Sequence, residues 1–153
     1  MDQILFTQSS NELRYASMDQ SRMSQLMLEM QLVNINLKYK TATVQDRLKI
    51  NALNSEISTL ESQRNLHINN AIRYALDLAE YEIHNAKNIV ISMSYMAISS
   101  INSFIRAQNI KFELSFSLKM KVSQISSMLI MPDLIFLNLK SEIDKLSYLP
   151  VAY

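Results

Sequence analysis

The chain has 153 residues, of which none is glycine, cysteine or tryptophan and two are proline. Because proteins average about 7% glycine, this composition excludes phosphate-binding glycine loops and glycine-flanked nucleophile elbows, and the lack of cysteine excludes disulfides, thiolate catalysis and cysteine-ligated zinc. The hydrophobic fraction of 48% is typical of a folded chain, and the formal net charge of +1 favours neither nucleic acid nor an acidic membrane surface as a partner.

Residues 1–8 are predicted to form a flexible or partner-docked tail. They begin with an acidic residue and hold only a short apolar stretch, which indicates no cleavable signal peptide. We therefore expect a cytoplasmic protein or a component of an assembled particle or secretion machine. Residues 9–12, Ser-Ser-Asn-Glu, fit a capping box and predict that the first helix begins there. The apolar positions that then recur at helical spacing are Ala16, Met23, Met27, Met30 and Leu37.

The hydrophobic period changes between residues 32 and 44. Val33, Ile35 and Leu37 alternate with polar residues, and the following residues favour β-structure. This segment predicts a short strand or a break in the helix. The sequence Thr-Val-Gln-Asp at 43–46 then predicts a new helix N-terminus, with its acidic side chain near the positive end of the helix dipole.

Residues 46–108 form the longest helical segment of the sequence. The polar residues 63–65 and 69–70 are the candidate breaks, and a turn there would give two antiparallel helices. Without a break, a helix of about 60 residues would span roughly 90 Å and would need partners along its whole length. The apolar residues, spaced mostly by three and four, are Ile50, Leu53, Ile57, Leu60, Ile68, Ile72, Ala75, Ala79, Ile83, Ala86, Val90, Met93, Ala97, Ile101 and Phe104.

Residues 88–105 carry no charged side chain and are rich in serine. The first interpretation is a helix that is buried on most sides within a bundle. The alternative hypothesis is a membrane-inserting segment of a pore or translocator, because the length approaches the minimum for a bilayer span and serine permits close helix packing.

Residues 110–122 alternate between apolar and polar side chains without an error. On a strand all seven apolar residues lie on one face, whereas on a helix they scatter around the axis. The pattern therefore predicts a strand, which would pair with 32–44 or with another subunit because a lone strand leaves its backbone unsatisfied. The alternative is that the helical context overrides the pattern.

The last predicted helix begins near Pro132 and Asp133, because proline in the first turn beside an acid is typical of a helix start. Its apolar face includes Leu134, Leu137, Ile143 and Leu146, and it is expected to end near residue 148. Residues 149–153 form a C-terminal tail.

One cluster of acidic residues is a candidate metal site. Asp77, Glu80 and His84 would share one face of a helix. However, the spacing of ferritin-like sites requires a glutamate three residues before the histidine, where this chain has Tyr81. We interpret the cluster as a solvated acidic face, and we expect no catalytic residue, no metal, no cofactor and no enzymatic activity.

Taken together, these patterns predict a mainly α fold. Long amphipathic helices would form an antiparallel bundle or coiled-coil hairpin in one elongated domain, 1–153, with a small β-element from 32–44 and 110–122. We expect a structural or assembly protein that binds itself or a helical partner, in a secretion apparatus, a virion or a phage-like particle; a membrane pore using 88–105 and a small helical chaperone or regulator are the alternatives. The predicted interface residues are Ile72, Ala75, Ala79, Ile83, Val90, Ile101, Phe112, Leu114, Phe116 and Leu118.

Overall fold

A computed structural model describes residues 2–39, 43–86, 91–130 and 134–149. These residues form five helices and contain no strand, so the prediction of a mainly α protein is confirmed. The helices are α1 (Asp2–Tyr39), α2 (Val44–His84), α3 (Met93–Ala107), α4 (Phe116–Met128) and α5 (Leu134–Leu146).

The sequence predicted one elongated domain, whereas the contacts within the chain group its residues into two compact units. One unit, here called the hairpin unit, consists of residues 14–66. The other, here called the bundle unit, combines residues 1–13 with residues 67–153. Each unit is described by itself.

The hairpin unit consists of two antiparallel helical segments. Gln20 bonds to Arg64, and Arg22 pairs with Glu56. The higher-numbered residue of α1 thus contacts the lower-numbered residue of α2, which means that the two helices run antiparallel. The sequence instead placed a possible hairpin turn at 63–65 or 69–70, residues that lie inside α2. Its buried cluster contains Met23, Leu26, Leu53 and Ile57, with Met30 and Leu60 packed against it.

The bundle unit holds the larger core. α5 packs against both α3 and α4. Burying aliphatic side chains of this size stabilises the fold by about 1.5–3 kcal/mol each. The fully buried core side chains of this unit include Ile68, Ile72, Leu76, Leu78, Ile98, Ile101, Ile105, Ile125, Leu139 and Ile143.

The turn after α3 shows how the chain manages without glycine. Asn109 adopts a positive φ of 50°, a conformation that asparagine tolerates better than most residues. The Ile110 amide donates to the carbonyl of Ile105 at 2.9 Å, and the Asn109 amide donates to the carbonyl of Arg106 at 3.1 Å. These two bonds form a Schellman motif, and the buried side chains of Ile105 and Ile110 supply its hydrophobic contact.

The predicted N-terminal tail is wrong, because α1 already begins at Asp2. Ser9 is not a helix cap: its buried hydroxyl donates to the carbonyl of Ala71 at 2.8 Å. Glu12 does not reach back to its own helix start, since it contacts His67 Nδ1 on α2. Polar side chains that suit a capping box therefore bind the neighbouring helix instead.

The predicted β-segment at 32–44 is also wrong for the described residues, because α1 continues through 32–39; residues 40–42 lie outside the description. Helix α2 begins at Val44, as the sequence predicted. The Asp46 amide donates to the Thr43 hydroxyl at 3.1 Å, and the Thr43 amide donates to the Asp46 carboxylate at 3.2 Å. These reciprocal bonds form a capping box.

The predicted strand at 110–122 is replaced by two different structures. Residues 110–115 form no regular secondary structure, and their alternation holds because Ile110, Phe112 and Leu114 are all buried. From Phe116 the chain is helical, and the buried positions become Leu118, Val122 and Ile125. The alternation of 116–122 therefore hides a helical spacing of four and three, and the proposed partner segment 32–39 is itself helical.

The long segment 46–108 is two helices. Helix α2 ends at His84 and α3 begins at Met93, while residues 63–65 and 69–70 stay inside α2. Val90 lies outside the described residues. Pro132 and Asp133 do so as well, and α5 ends at Leu146, two residues before the predicted end. Of its predicted apolar face, Ile143 and Leu146 are buried, but Leu137 is more than half exposed.

A pair of lysine substitutions distinguishes helix from strand in α4. On a strand Phe116 and Leu118 would share a face, but here Phe116 is 78% exposed and Leu118 is 3% exposed. We expect Phe116→Lys to change the free energy of unfolding by less than about 0.5 kcal/mol. Leu118→Lys should cost about 3 kcal/mol or more because it buries a charge. Chemical denaturation of dilute protein measures both, and equal effects would contradict the helix.

Candidate functional site

The predicted interface residues lie mostly inside the bundle unit. Of the ten, Ile83 is half-buried, Phe116 is exposed and Val90 is outside the description. Contacts of the buried residues with a partner stay a prediction, but within this chain they form the core, because a regular apolar spacing marks the face a helix buries irrespective of what covers it. The buried members are Ile72, Ala75, Ala79, Ile101, Phe112, Leu114 and Leu118.

The uncharged segment 88–105 contributes α3 to this core. Among the described residues, no helix combines the length and the hydrophobicity that a bilayer crossing requires. Six side chains along α3 are buried in the bundle unit, and two of them, Ser94 and Asn102, are polar with hydrogen-bond partners inside the protein.

Glu82 is a buried residue of the bundle unit whose carboxylate accepts four hydrogen bonds. Its side chain is 1% exposed. One carboxylate oxygen accepts from the backbone amides of Met93, at 2.7 Å, and Ser94, at 3.0 Å. The other accepts from the hydroxyls of Ser92, at 2.9 Å, and Ser94. The Ser92 hydroxyl in turn accepts from the Tyr95 amide at 3.1 Å and so caps the same helix.

The arrangement places a carboxylate from α2 on the N-terminus of α3. The amides there have no partner within the helix, and the helix dipole is positive at this end. Glu82 therefore fixes how α3 follows α2. Sequence reasoning missed this role because it grouped the acids of 77–84 as a solvated face. A signal was present, since position 82 continues the buried stripe of Ala75 and Ala79 at helical spacing.

A second buried polar contact joins α3 to α5. The Asn102 amide nitrogen donates to the Glu142 carbonyl at 3.0 Å and to the Glu142 carboxylate at 2.9 Å. Burial alone would raise the pKa of Glu142. The hydrogen bonds from Lys145 and Asn102 and the positive charges of Lys145 and Arg106 outweigh it, so the pKa of Glu142 lies below its ordinary value.

A lysine side chain contacts two of the acids of the candidate metal site. Lys121 on α4 pairs with Asp77 and lies 3.7 Å from Glu80. Burial lowers the pKa of Lys121, and the charge of Arg73 lowers it further. Across the described ranges, no group of three histidine or acidic side chains is placed to hold a metal ion.

A cavity of about 310 Å³ lies in the bundle unit beside residues 112–114. Its ionisable lining residues, Glu113 and Lys119, pair with each other at 3.1 Å and are each more than half exposed. The lining residues are Phe112, Glu113, Leu114, Lys119, Val122, Leu146, Ser147 and Leu149.

Arg64 forms a polar layer within the hairpin unit. It is 6% exposed, and its guanidinium donates to Gln20 Oε1 at 2.7 Å and to Asn65 Oδ1 at 3.0 and 3.2 Å. Burial lowers its pKa, and the nearby Glu61 partly opposes this. Polar layers in an otherwise apolar seam select one register, because any slip leaves buried donors without acceptors.

Helix α1 carries apolar side chains on two opposite faces of the hairpin unit. The buried stripe includes Met23, Leu26 and Val33. The residue two positions after each of these is exposed. Because two residues turn the helix by about 200°, that residue lies on the opposite side of α1. The positions on that far side repeat every seven residues and define the outer stripe: Met18, Ser21, Gln25, Leu28, Leu32 and Ile35.

The two ends of the outer stripe differ in shape. At one end Leu28, Leu32 and Ile35 are 62%, 63% and 53% exposed. At the other, an open depression of about 340 Å³ is lined by Arg14, Ser17, Met18, Ser21, Arg22 and Gln25. Adjacent exposed apolar side chains of this size are characteristic of a protein-binding surface. The outer stripe is the candidate functional site.

Comparisons with protein-family models, curated proteins and solved structures find no match to this chain. The site is therefore interpreted from its own chemistry.

Removal of the Glu82 carboxylate tests its structural role. Glu82→Ala leaves two amides and two hydroxyls without their acceptor, so we expect a loss of about 3 kcal/mol in the free energy of unfolding. The matched control is Glu80→Ala, an identical truncation two residues away at a more exposed position, which should cost at most about 1 kcal/mol. Urea denaturation compares the two variants, and similar costs would show that the cap is unimportant.

The pH dependence of stability reports on Glu142. Because its pKa is lowered in the folded protein, its contribution is present above the ordinary value of 4.5 and is lost as the pH falls through the folded value. Glu142→Gln should therefore be less stable than the natural chain at pH 7, and the difference should shrink below pH 4.5. Denaturation across this range tests it; a difference that grows in acid would contradict the assignment.

Proposed function

We propose that this is a non-enzymatic structural or assembly protein that associates with itself through the outer stripe of α1. The observation that carries the proposal is the exposure of Leu28, Leu32 and Ile35 on the face opposite the buried stripe. A helix that only covered its own hairpin would need apolar residues on one face. The second face supports a role in which α1 lies between two partners, as in an assembled particle or secretion machine.

The energy available from this face supports association of moderate strength. Full burial of a leucine or isoleucine side chain contributes about 1.5–3 kcal/mol, and each of the three is more than half exposed. A symmetric pair of such faces would bury six of these side chains. Part of that gain is lost to the entropy of association, so we expect association that depends on protein concentration in the accessible range.

The hydrogen bonds of the buried acidic residues support a non-enzymatic role. Glu82 and Glu142, which the fold shields from water, are engaged in hydrogen bonds that join helices. A general acid or base needs instead to reach a substrate within hydrogen-bond distance.

One substitution on the outer stripe tests the proposal. Leu32→Glu places charges in the expected contact and should convert the protein to a monomer of 17.7 kDa, while the natural chain shows a higher mass that rises with concentration. The control is Asn34→Glu, which adds the same side chain at an exposed position two residues along the helix and outside the outer stripe. Sedimentation equilibrium measures the masses, and circular dichroism checks that the helices remain.

Two results would contradict the proposal. The natural chain could be a monomer at every concentration tested, in which case the outer stripe does not mediate self-association. Alternatively, Leu32→Glu could associate as strongly as the natural chain and as Asn34→Glu, in which case association uses another surface.

A further inference from the structure

We infer that the outer stripe binds the outer stripe of a second copy of this chain in an antiparallel orientation, with Gln25 of each copy opposite Leu28 of the other. This inference rests on the proposed function and adds the identity of the partner and the geometry of the contact. The stripe from Met18 to Ile35 is about 26 Å long at 1.5 Å per residue. Three observations lead to this orientation.

The first observation is the shape of the depression. In packed helices each side chain inserts into a hole formed by four residues of the facing helix. Met18, Ser21, Arg22 and Gln25 are spaced as such a hole, and all four line the depression. The hole is open and has the small side chain of Ser21 at one corner, and it lies on the same helix face as the large exposed side chains at the other end.

The second observation is that the stripe is complementary to itself only when reversed. In the antiparallel register, Leu32 of one copy enters the hole around Ser21 of the other, and Ile35 meets Met18. A two-fold axis repeats both contacts, as expected for a symmetric dimer interface. A parallel pairing would set Leu32 against Leu32 and leave each hole facing another hole.

The third observation is the charge on one flank of the stripe. Arg22 and Glu29 are exposed and seven residues apart, so they lie on the same side of the outer stripe. The antiparallel register brings Arg22 of each copy beside Glu29 of the other. In a parallel pairing Arg22 would lie level with Arg22 of the second copy, and Glu29 with Glu29, so neither would be near an opposite charge.

Arg22 already has an acidic neighbour within the hairpin unit, and this does not compete with the inferred contact. Its guanidinium lies 3.5 Å from the Glu56 carboxylate, with both side chains 49% exposed. Exposed pairs of this kind contribute little, and a guanidinium has donors for two carboxylates. Arg22 can therefore keep Glu56 while it binds Glu29 of the second copy.

Cysteine cross-linking tests the geometry, because the natural chain contains no cysteine. Ser24 and Gln31 are exposed on the other flank, where the antiparallel register places each opposite the other in the second copy. We expect an equimolar mixture of Ser24→Cys and Gln31→Cys to form a disulfide-linked dimer under mild oxidation. Each variant alone should cross-link much less, because its own copies are several residues out of register.

Ile35→Cys provides the opposite test. In a parallel dimer the two cysteines would be adjacent and would cross-link readily. In the antiparallel dimer they are about 26 Å apart, so Ile35→Cys alone should remain uncross-linked.

A charged substitution in the hole tests the predicted contact. Ser21→Glu should weaken self-association at least tenfold, because Leu32 of the second copy would then bury a charge. Ser21→Ala should associate like the natural chain. Ser58→Glu, at an exposed position of α2, is the control for the added charge.

The outcomes separate this inference from the proposed function. A natural chain that is monomeric contradicts both. Association with cross-linking of Ile35→Cys alone, or without cross-linking of the Ser24→Cys and Gln31→Cys mixture, overturns the antiparallel geometry and leaves self-association standing. Association of Ser21→Glu at natural strength overturns the contact between Leu32 and the hole around Ser21.

Discussion

The absence of glycine is the constraint on which the described structure depends. Helix ends need groups that satisfy free amides and carbonyls, and glycine usually permits the backbone geometry that does so. Here side chains take that part: Thr43 with Asp46 begins α2, Ser92 with Glu82 begins α3, and Asn109 adopts the positive φ after α3. The turns are therefore fixed by specific polar contacts.

This way of ending helices explains where the buried charge lies. A carboxylate on a helix N-terminus is stabilised by amides that need an acceptor in any case, so Glu82 can be buried without a basic partner in the contacts described. Amide side chains also bind the other buried charges: Gln20 accepts from Arg64, and Asn102 donates to Glu142 together with Lys145. The polar interior fixes how helices pack, and the exposed apolar side chains of the described structure include Leu28, Leu32 and Ile35 on the outer stripe of α1.

The helical class and the core were predictable because apolar spacings of three and four persist from Ile68 to Ala79 and belong to no other structure. The prediction failed where spacing is ambiguous: alternation over 116–122 also contains the helical pair Leu118 and Val122. The outer stripe was missed for a related reason. Val33 and Ile35 were read as one face of a strand, whereas on a helix they belong to opposite faces. Side-chain roles such as that of Glu82 depend on distant residues, which local patterns do not specify.

The geometry of the outer stripe also limits the size of the assembly. Its hole and its large side chains lie on one helix face, so a reversed second copy satisfies both at once and the contact closes on itself. A head-to-tail contact would leave one hole and one set of leucines free at each end and would continue into a filament. Because the inferred closure uses the whole stripe, further growth would need a different surface. The inferred antiparallel contact therefore predicts a dimer and not a filament.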